Sequence, residues 1–250
     1  MSEKEEGEET TSQYLLSAPG LQYSRDCDQL QRFAIFVTNA ATIADAGIAL
    51  AQTIRATSDK ESPDLSVGAV DELAVHLQLF LQMMLCRSVD NFLTYVSEIL
   101  ALIFRTRPEM LKSNETTRLD VILQFKRMDD LISALVEKRV TDLAYQGMRD
   151  LSKDLSRRIG FDLFEREEDL ARAVRIIEVR NLIVHNRAIV NRLFLSRLPD
   201  FTASLGDRVD LQGKAVLDDI EFLDSSVSDI DKRAVEKFGL PTLSIAGGTA

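Results

Sequence analysis

The chain has 250 residues, 45% of them hydrophobic, with 40 acidic against 30 basic side chains and a net charge of −10. That length supports one large domain or two small ones. The overall acidity disfavours wrapping around duplex nucleic acid or adsorption to an anionic membrane.

Residues 1–24 read as a flexible acidic tail, since Glu3, Glu5, Glu6, Glu8 and Glu9 repel one another and leave no apolar signal-peptide core. Pro19-Gly20 is a turn signal. From about Asp28 to Arg55 a helix is expected, because Leu30, Phe33, Phe36 (or Val37), Ala40, Ile43, Ala44 and Leu50 recur at steps of three and four. Ser58 to Gly68 reads as a polar connector and a candidate mobile loop. A long helix is expected from about Val70 to Arg105, with an apolar face wide enough to be buried between several helices. His76 early in it reads as an exposed or hydrogen-bonded side chain, and Tyr95 and Glu98 as a hydrogen-bonded pair. Pro108 ends it.

A short helix to about Phe125 follows a cap at Asn114 or Thr116. Another opens at Asp129 or Asp130 and stops at Gly160. Acidic residues Glu165, Glu167, Glu168 and Asp169 then suit the positive end of a helix running to about Asn191. An extended or helical Arg192-Leu-Phe-Leu tail ends near Pro199. Asp207 to Leu211 can be a short extended piece. A weaker helix spans 213 to about 238, ended by Gly239 and Pro241, and 245–250 should fray. Strand alternation is lacking, so the class is all-α: a bundle of four to five core helices over 25–200, with a C-terminal helical extension over 201–250 packed on it. No run of 18 apolar residues occurs, so no membrane span is expected and the cytoplasm is the expected location.

Most catalytic signatures are absent, including phosphate-binding glycine loops, nucleophile elbows, H-E-x-x-H and C-x-x-C. Two histidines and two distant cysteines, Cys27 and Cys86, offer no disulfide framework or ligand cluster, so neither metal nor cofactor is expected. What remains is Arg175-Ile-Ile-Glu178-Val-Arg180-Asn181-Leu-Ile-Val-His185-Asn186-Arg187. Stepping about 100° per residue, Glu178, Asn181 and His185 share one stripe, while Arg180 lies about 140° from His185 within an apolar arc. A guanidinium there needs a carboxylate, such as Glu98 or Glu178, or a wet cleft. Residues 172–197 hold six arginines against one acid, a local positive field in an acidic chain. Histidine can take and return a proton near neutral pH, and arginine can clamp a phosphate and the charge that builds on phosphorus. With Asn181 orienting the imidazole, this set suits attack of a ribose 2′-hydroxyl on the adjacent phosphate, which requires RNA. Because Arg180 and His185 sit on different flanks, a symmetric dimer is expected to build the site. Asn186, Arg187 and Arg192 are candidate substrate contacts.

Arg180-Asn181-Leu-Ile-Val-His185 resembles the R-x(4–6)-H motif of the HEPN superfamily, most closely over about 170–198. The resemblance implies a dimeric helical bundle and, in many members, metal-independent endoribonuclease activity in defence, toxin–antitoxin or RNA-processing systems. It makes Arg180 and His185 catalytic, with Asn181 in support. Other members are non-catalytic modules that dimerise or bind a partner protein, such as an antitoxin, or nucleic acid; this is the alternative expectation.

Overall fold

A computed structural model describes residues 15–56, 68–111, 119–144 and 147–244. The all-α class holds. The helices are α1 (Ala18–Ala56), α2 (Ala69–Val75), α3 (Leu77–Thr106), α4 (Leu119–Ile122), α5 (Met128–Ala144), α6 (Met148–Ile159), α7 (Glu167–Asn186), α8 (Arg192–Arg197) and α9 (Gly213–Phe238). A 3₁₀ turn, Pro108–Leu111, follows α3.

The spine is α3. Leu85, Val89, Phe92, Tyr95, Val96, Ile99, Leu100 and Ile103 are almost wholly buried. They go most of the way round the helix, so α3 needs cover on several sides. It receives that cover from α1, α5, α7 and α9. The C-terminal extension is therefore part of the core. Val216, Leu223, Val227, Ile230, Ala234 and Phe238 of α9 are buried at steps of three, four and seven, matching one face of a helix. Gly239 ends α9 in the left-handed region, and the amides of Gly239 and Leu240 both donate to the Val235 carbonyl. Gly160 stops α6 in the same conformation, as its sequence position suggests.

Several boundaries differ from the expectation. The expected tail over 1–24 is described only from Leu15, and residues 1–14 lie outside the described residues. Leu15–Ser17 (β1) pairs antiparallel with Thr242–Ser244 (β2), and α1 begins at Ala18, so Pro19-Gly20 lies in its first turn. Proline is tolerated there because that amide has no intrahelical acceptor. The long helix from 70 is two helices with a 66° bend at His76. The break falls between two tethers. Asp45 of α1 accepts from the Ala69 and Val70 amides, at 2.5 and 3.1 Å, while the Gln78 amide group bonds both the carbonyl and the N–H of Leu211. The helix expected from 129 to 160 is α5 and α6, parted near Gly147. The connector at 58–67, the cap at 114–116 and the 245–250 end lie outside the described residues.

One buried carboxylate ties the N-terminal ribbon to the core. Asp231 of α9 is fully buried and accepts from the Ser17 amide (2.9 Å), the Ser17 hydroxyl and the Tyr95 hydroxyl (3.2 Å). Tyr95 thus pairs with Asp231 and not with Glu98, which is exposed. Burial first, then the neighbouring Asp231 charge, pushes the Tyr95 hydroxyl well above the usual tyrosine range, so it stays protonated and donates. Burial likewise raises Tyr23, whose ring lies 5.8 Å from Tyr95, and lifts Cys27 to about 11.

Among the described residues α1 has no buried side chain from residue 24 to residue 53, and α2 has none. From Phe33 to Leu50 the only charge is Asp45. Helix α1 is long and apolar enough to cross a membrane by length and composition, with a best-window mean hydropathy of 1.6. A strict search for uninterrupted apolar residues misses this, because Thr38, Asn39, Thr42 and Asp45 interrupt the run.

Candidate active site

The motif helix α7 lies against α3, α6 and α8. Its buried face is Leu170, Ala173, Val174, Ile176, Ile177, Val179 and Leu182. Its first turn carries Glu167, Glu168 and Asp169 against the positive end of the helix dipole. Arg166 holds Asp169 with two bonds of 2.8 and 2.7 Å, which keeps that carboxyl below the usual aspartate range. At the other end the helix stops at Asn186, five residues before the expected stop. Arg187 and Ala188 both adopt left-handed backbone, with φ of 54° and 61°. Two such non-glycine residues in succession are costly and need surrounding structure to hold them. The support is visible. The Ala188 amide donates to Leu182 O, the Asn186 side chain donates to Ile189 O, and segment 188–190 bonds to 206–209 through three backbone hydrogen bonds. Asn191 then caps α8 by accepting from the Phe194 amide at 2.8 Å.

This turn leaves a cleft of about 600 Å³ between α3, α6, α7 and α8. Leu93, Val96, Met148, Leu151, Ile177 and Phe194 give it apolar walls. Glu178, Arg180, Asn181, His185, Asn186 and Arg197 give it polar groups. Arg180, Asn181 and His185 therefore line one cleft within one chain. Their separation on the helical wheel therefore does not keep them off a common cleft. Helical-wheel angles locate Cα atoms, whereas the Arg180 side chain is long enough to turn back, and its Nη1 donates to the Asn181 side-chain oxygen at 3.1 Å.

The partner of Arg180 is Asp90 of α3, at 2.5 Å from Nη2, and neither Glu98 nor Glu178. The Arg180 side chain is 20% exposed, and its Nε is buried with no hydrogen-bond partner among the described residues. Glu178 is taken by Arg197, whose Nη1 lies 3.0 Å from both carboxylate oxygens. That pair closes one side of the cleft. His185 is exposed in the last turn of α7. The sequence does not reveal Asp90, the Glu178–Arg197 pair, or Cys86, which lies one turn before Asp90. Cys86 feels the Arg180 charge, but burial dominates and pushes its thiol up, so it is not an activated thiolate.

The positive field predicted for 172–197 is partly offset, with four of its six arginines ion-paired. Arg172 and Arg175 both bind Asp219 of α9, with Arg175 Nη2 at 2.7 and 2.9 Å from its two oxygens. Arg172 also stacks over the Phe222 ring at 4.5 Å. The acidic C-terminal segment thus supplies the counter-charge. Among the described residues, only Arg187 and Arg192 of the six arginines have no ion pair. Neither lines the cleft, whereas Asn186 does, with its side-chain amide already engaged at Ile189. No cluster of three or more metal-binding side chains occurs among the described residues.

The cleft offers one exposed imidazole, two ion-paired guanidinium groups (Arg180 and Arg197) and the carboxamides of Asn181, Asn186 and Asn191 on apolar walls. That combination can hold a phosphate oxygen at a guanidinium and exchange a proton at the imidazole. No protein-family model, curated protein or solved structure matches the chain.

Proposed function

We propose that the cleft is the active site of a metal-independent endoribonuclease of HEPN type. The single observation that carries this reading is that Arg180, Asn181 and His185 line the same cleft while His185 stays exposed. In the proposed step, His185 takes the proton of a ribose 2′-hydroxyl. The 2′-oxygen attacks the adjacent phosphorus, the bond to the 5′-oxygen breaks, and that oxygen leaves with a proton from water or an imidazolium. The products are a 2′,3′-cyclic phosphate and a 5′-hydroxyl, with no net change in atoms or electrons. Arg180 stabilises the charge that builds on the phosphoryl oxygens. Asp90 and Asn181 hold the guanidinium in place for that task. Cleavage should persist in EDTA, and Arg180→Ala should remove it while helical content stays unchanged. Undiminished cleavage by that variant would remove Arg180 from the mechanism.

A second reading is favoured by the Arg180–Asp90 ion pair, which already satisfies much of the guanidinium. In it the chain is a non-catalytic HEPN-like helical module that binds a protein or nucleic acid. Asp90→Asn separates the two. Loss of the carboxylate that holds Arg180 should alter cleavage or phosphate affinity if the site is catalytic, and change neither if the pair is purely structural. A role in defence or in a toxin–antitoxin pair rests on the resemblance alone, with growth arrest on induced expression as its test.

A further inference from the structure

The distal two thirds of α1 presents an apolar seam to solvent. Phe33, Phe36, Ala40, Ile43, Gly47 and Leu50 fall at alternating steps of three and four, and all six are exposed. Phe36, Ile43 and Leu50 are 68%, 71% and 62% exposed, and a side chain at Gly47 would meet nothing. The opposite face is used within the chain. Ala34, Val37, Ala41, Asp45 and Ile48 are half-buried, and Asp45 on that face bonds the first amides of α2. The exposed stripe thus has the 3.5-residue period of a helix that packs along another helix.

Size order along the stripe identifies the other helix. Turn a second copy of α1 antiparallel, with a twofold axis midway between residues 41 and 42. Phe36 then faces Gly47, Ile43 faces Ala40, and Phe33 faces Leu50. Each layer sets a large side chain against a small one, or two medium-to-large ones at the open ends. The same three pairs recur on both sides of the axis, as a twofold interface requires. A parallel pairing instead stacks Phe33 on Phe33, Phe36 on Phe36 and Gly47 on Gly47, which alternates crowding with voids. Ala44, Ala46 and Ala51 flank the seam and permit close approach. A lipid-facing helix is apolar all round, but here Asn39 is exposed beside the seam and Thr38 and Thr42 are exposed on other faces.

We infer that α1 is a self-association element: two copies of this chain pair through an antiparallel α1–α1′ seam over residues 33–50. This inference does not depend on ribonuclease activity. Light scattering of the full chain at tens of micromolar should give twice the chain mass, and Ile43→Asp should give the single-chain mass with unchanged helical content by circular dichroism. Register is read by cysteine pairs in a Cys27→Ser, Cys86→Ser background. After oxidation, a mixture of Phe33→Cys and Leu50→Cys proteins should give the mixed cross-link, and neither protein alone should cross-link, because residues 33 and 33′ would lie about 25 Å apart along the axis. Self-cross-linking of Phe33→Cys would overturn the antiparallel register. A monomeric wild type would overturn the pairing. Flotation of the wild type with phosphatidylcholine–phosphatidylglycerol vesicles, lost in Ile43→Asp without any change in mass, would overturn it in favour of a membrane surface.

Discussion

The body of the molecule and the α1–α2 arm solve opposite problems. Around α3, apolar side chains are inside and the arginines of α7 are matched by carboxylates from α3 and α9. Along α1 from Phe33 to Leu50 the single charge, Asp45, is turned toward α2, while Phe33, Phe36, Ile43 and Leu50 face water. Hydrophobic burial is the main favourable term in folding, at roughly 25 cal/mol per Å². A body built this way carries its own stability, whereas the arm leaves that term unspent until something covers it. Substitutions should therefore be felt as lost stability in the body and as lost association in the arm.

The largest stability effect is expected at Gly20. A Cβ there would lie 2.7 Å from the Asp231 carboxylate, which is fixed by Ser17 and Tyr95. Gly20→Ala should cost about 3 kcal/mol, seen as a lower urea midpoint, through overpacking and displaced hydrogen bonds. Next is Asp154 of α6, nearly buried among Arg139, Arg157 and Arg158 at 2.8, 2.5 and 2.9 Å. Burial alone would raise its carboxyl, but hydrogen bonds from Arg158 and Arg157 outweigh it and hold the group below the usual aspartate range. Asp154→Asn should cost about 2 kcal/mol near pH 7 by leaving arginines without their partner. The sign follows from the lowered folded-state value. The contribution is fully present above the ordinary aspartate pKa of about 3.9 and is lost as the pH falls below it. Thermal melts of wild type and Asp154→Asn should therefore converge as the pH falls below about 3.9.

Smaller effects sharpen the same contrast. Arg187→Gly relieves a left-handed residue at the end of α7 and should stabilise by about 1 kcal/mol, a rise of about 2–4 °C in Tm. In the arm, Ile43→Asp should change monomer stability by no more than about 0.5 kcal/mol, since the side chain is already exposed. A loss of several kcal/mol there would mean that the arm belongs to the core.

The fold was legible wherever a local signal decides the outcome. Gly160 and Gly239 mark real helix ends because both occupy the left-handed region, and α9 spans the residues that its spacing suggests. The end of α7 was not legible, because Arg187 and Ala188 hold that region without glycine and their support comes from residues 206–209. The start of α1 was hidden by Pro19-Gly20, a pair common in turns and equally at home in a first helical turn. Period-3.6 patterning showed that α1 has an apolar face and could not say what covers it. At the site, Arg180, Asn181 and His185 were legible as a group of polar residues in an apolar helix. Asp90 and Asp219 were not, because their pairings span 90 residues and more than 40, and only the packing of α7 on α3 and α9 brings them in.

The central claim is that Arg180 and His185 act together on a phosphate next to a ribose hydroxyl. Its most direct measurement compares cleavage, in EDTA, of an RNA oligonucleotide with the same sequence carrying 2′-O-methyl groups, by wild type and by His185→Ala. The unmodified RNA alone should give a 2′,3′-cyclic phosphate product, reduced at least about 100-fold by His185→Ala. Equal cleavage of both oligonucleotides, or undiminished cleavage by His185→Ala, would contradict it.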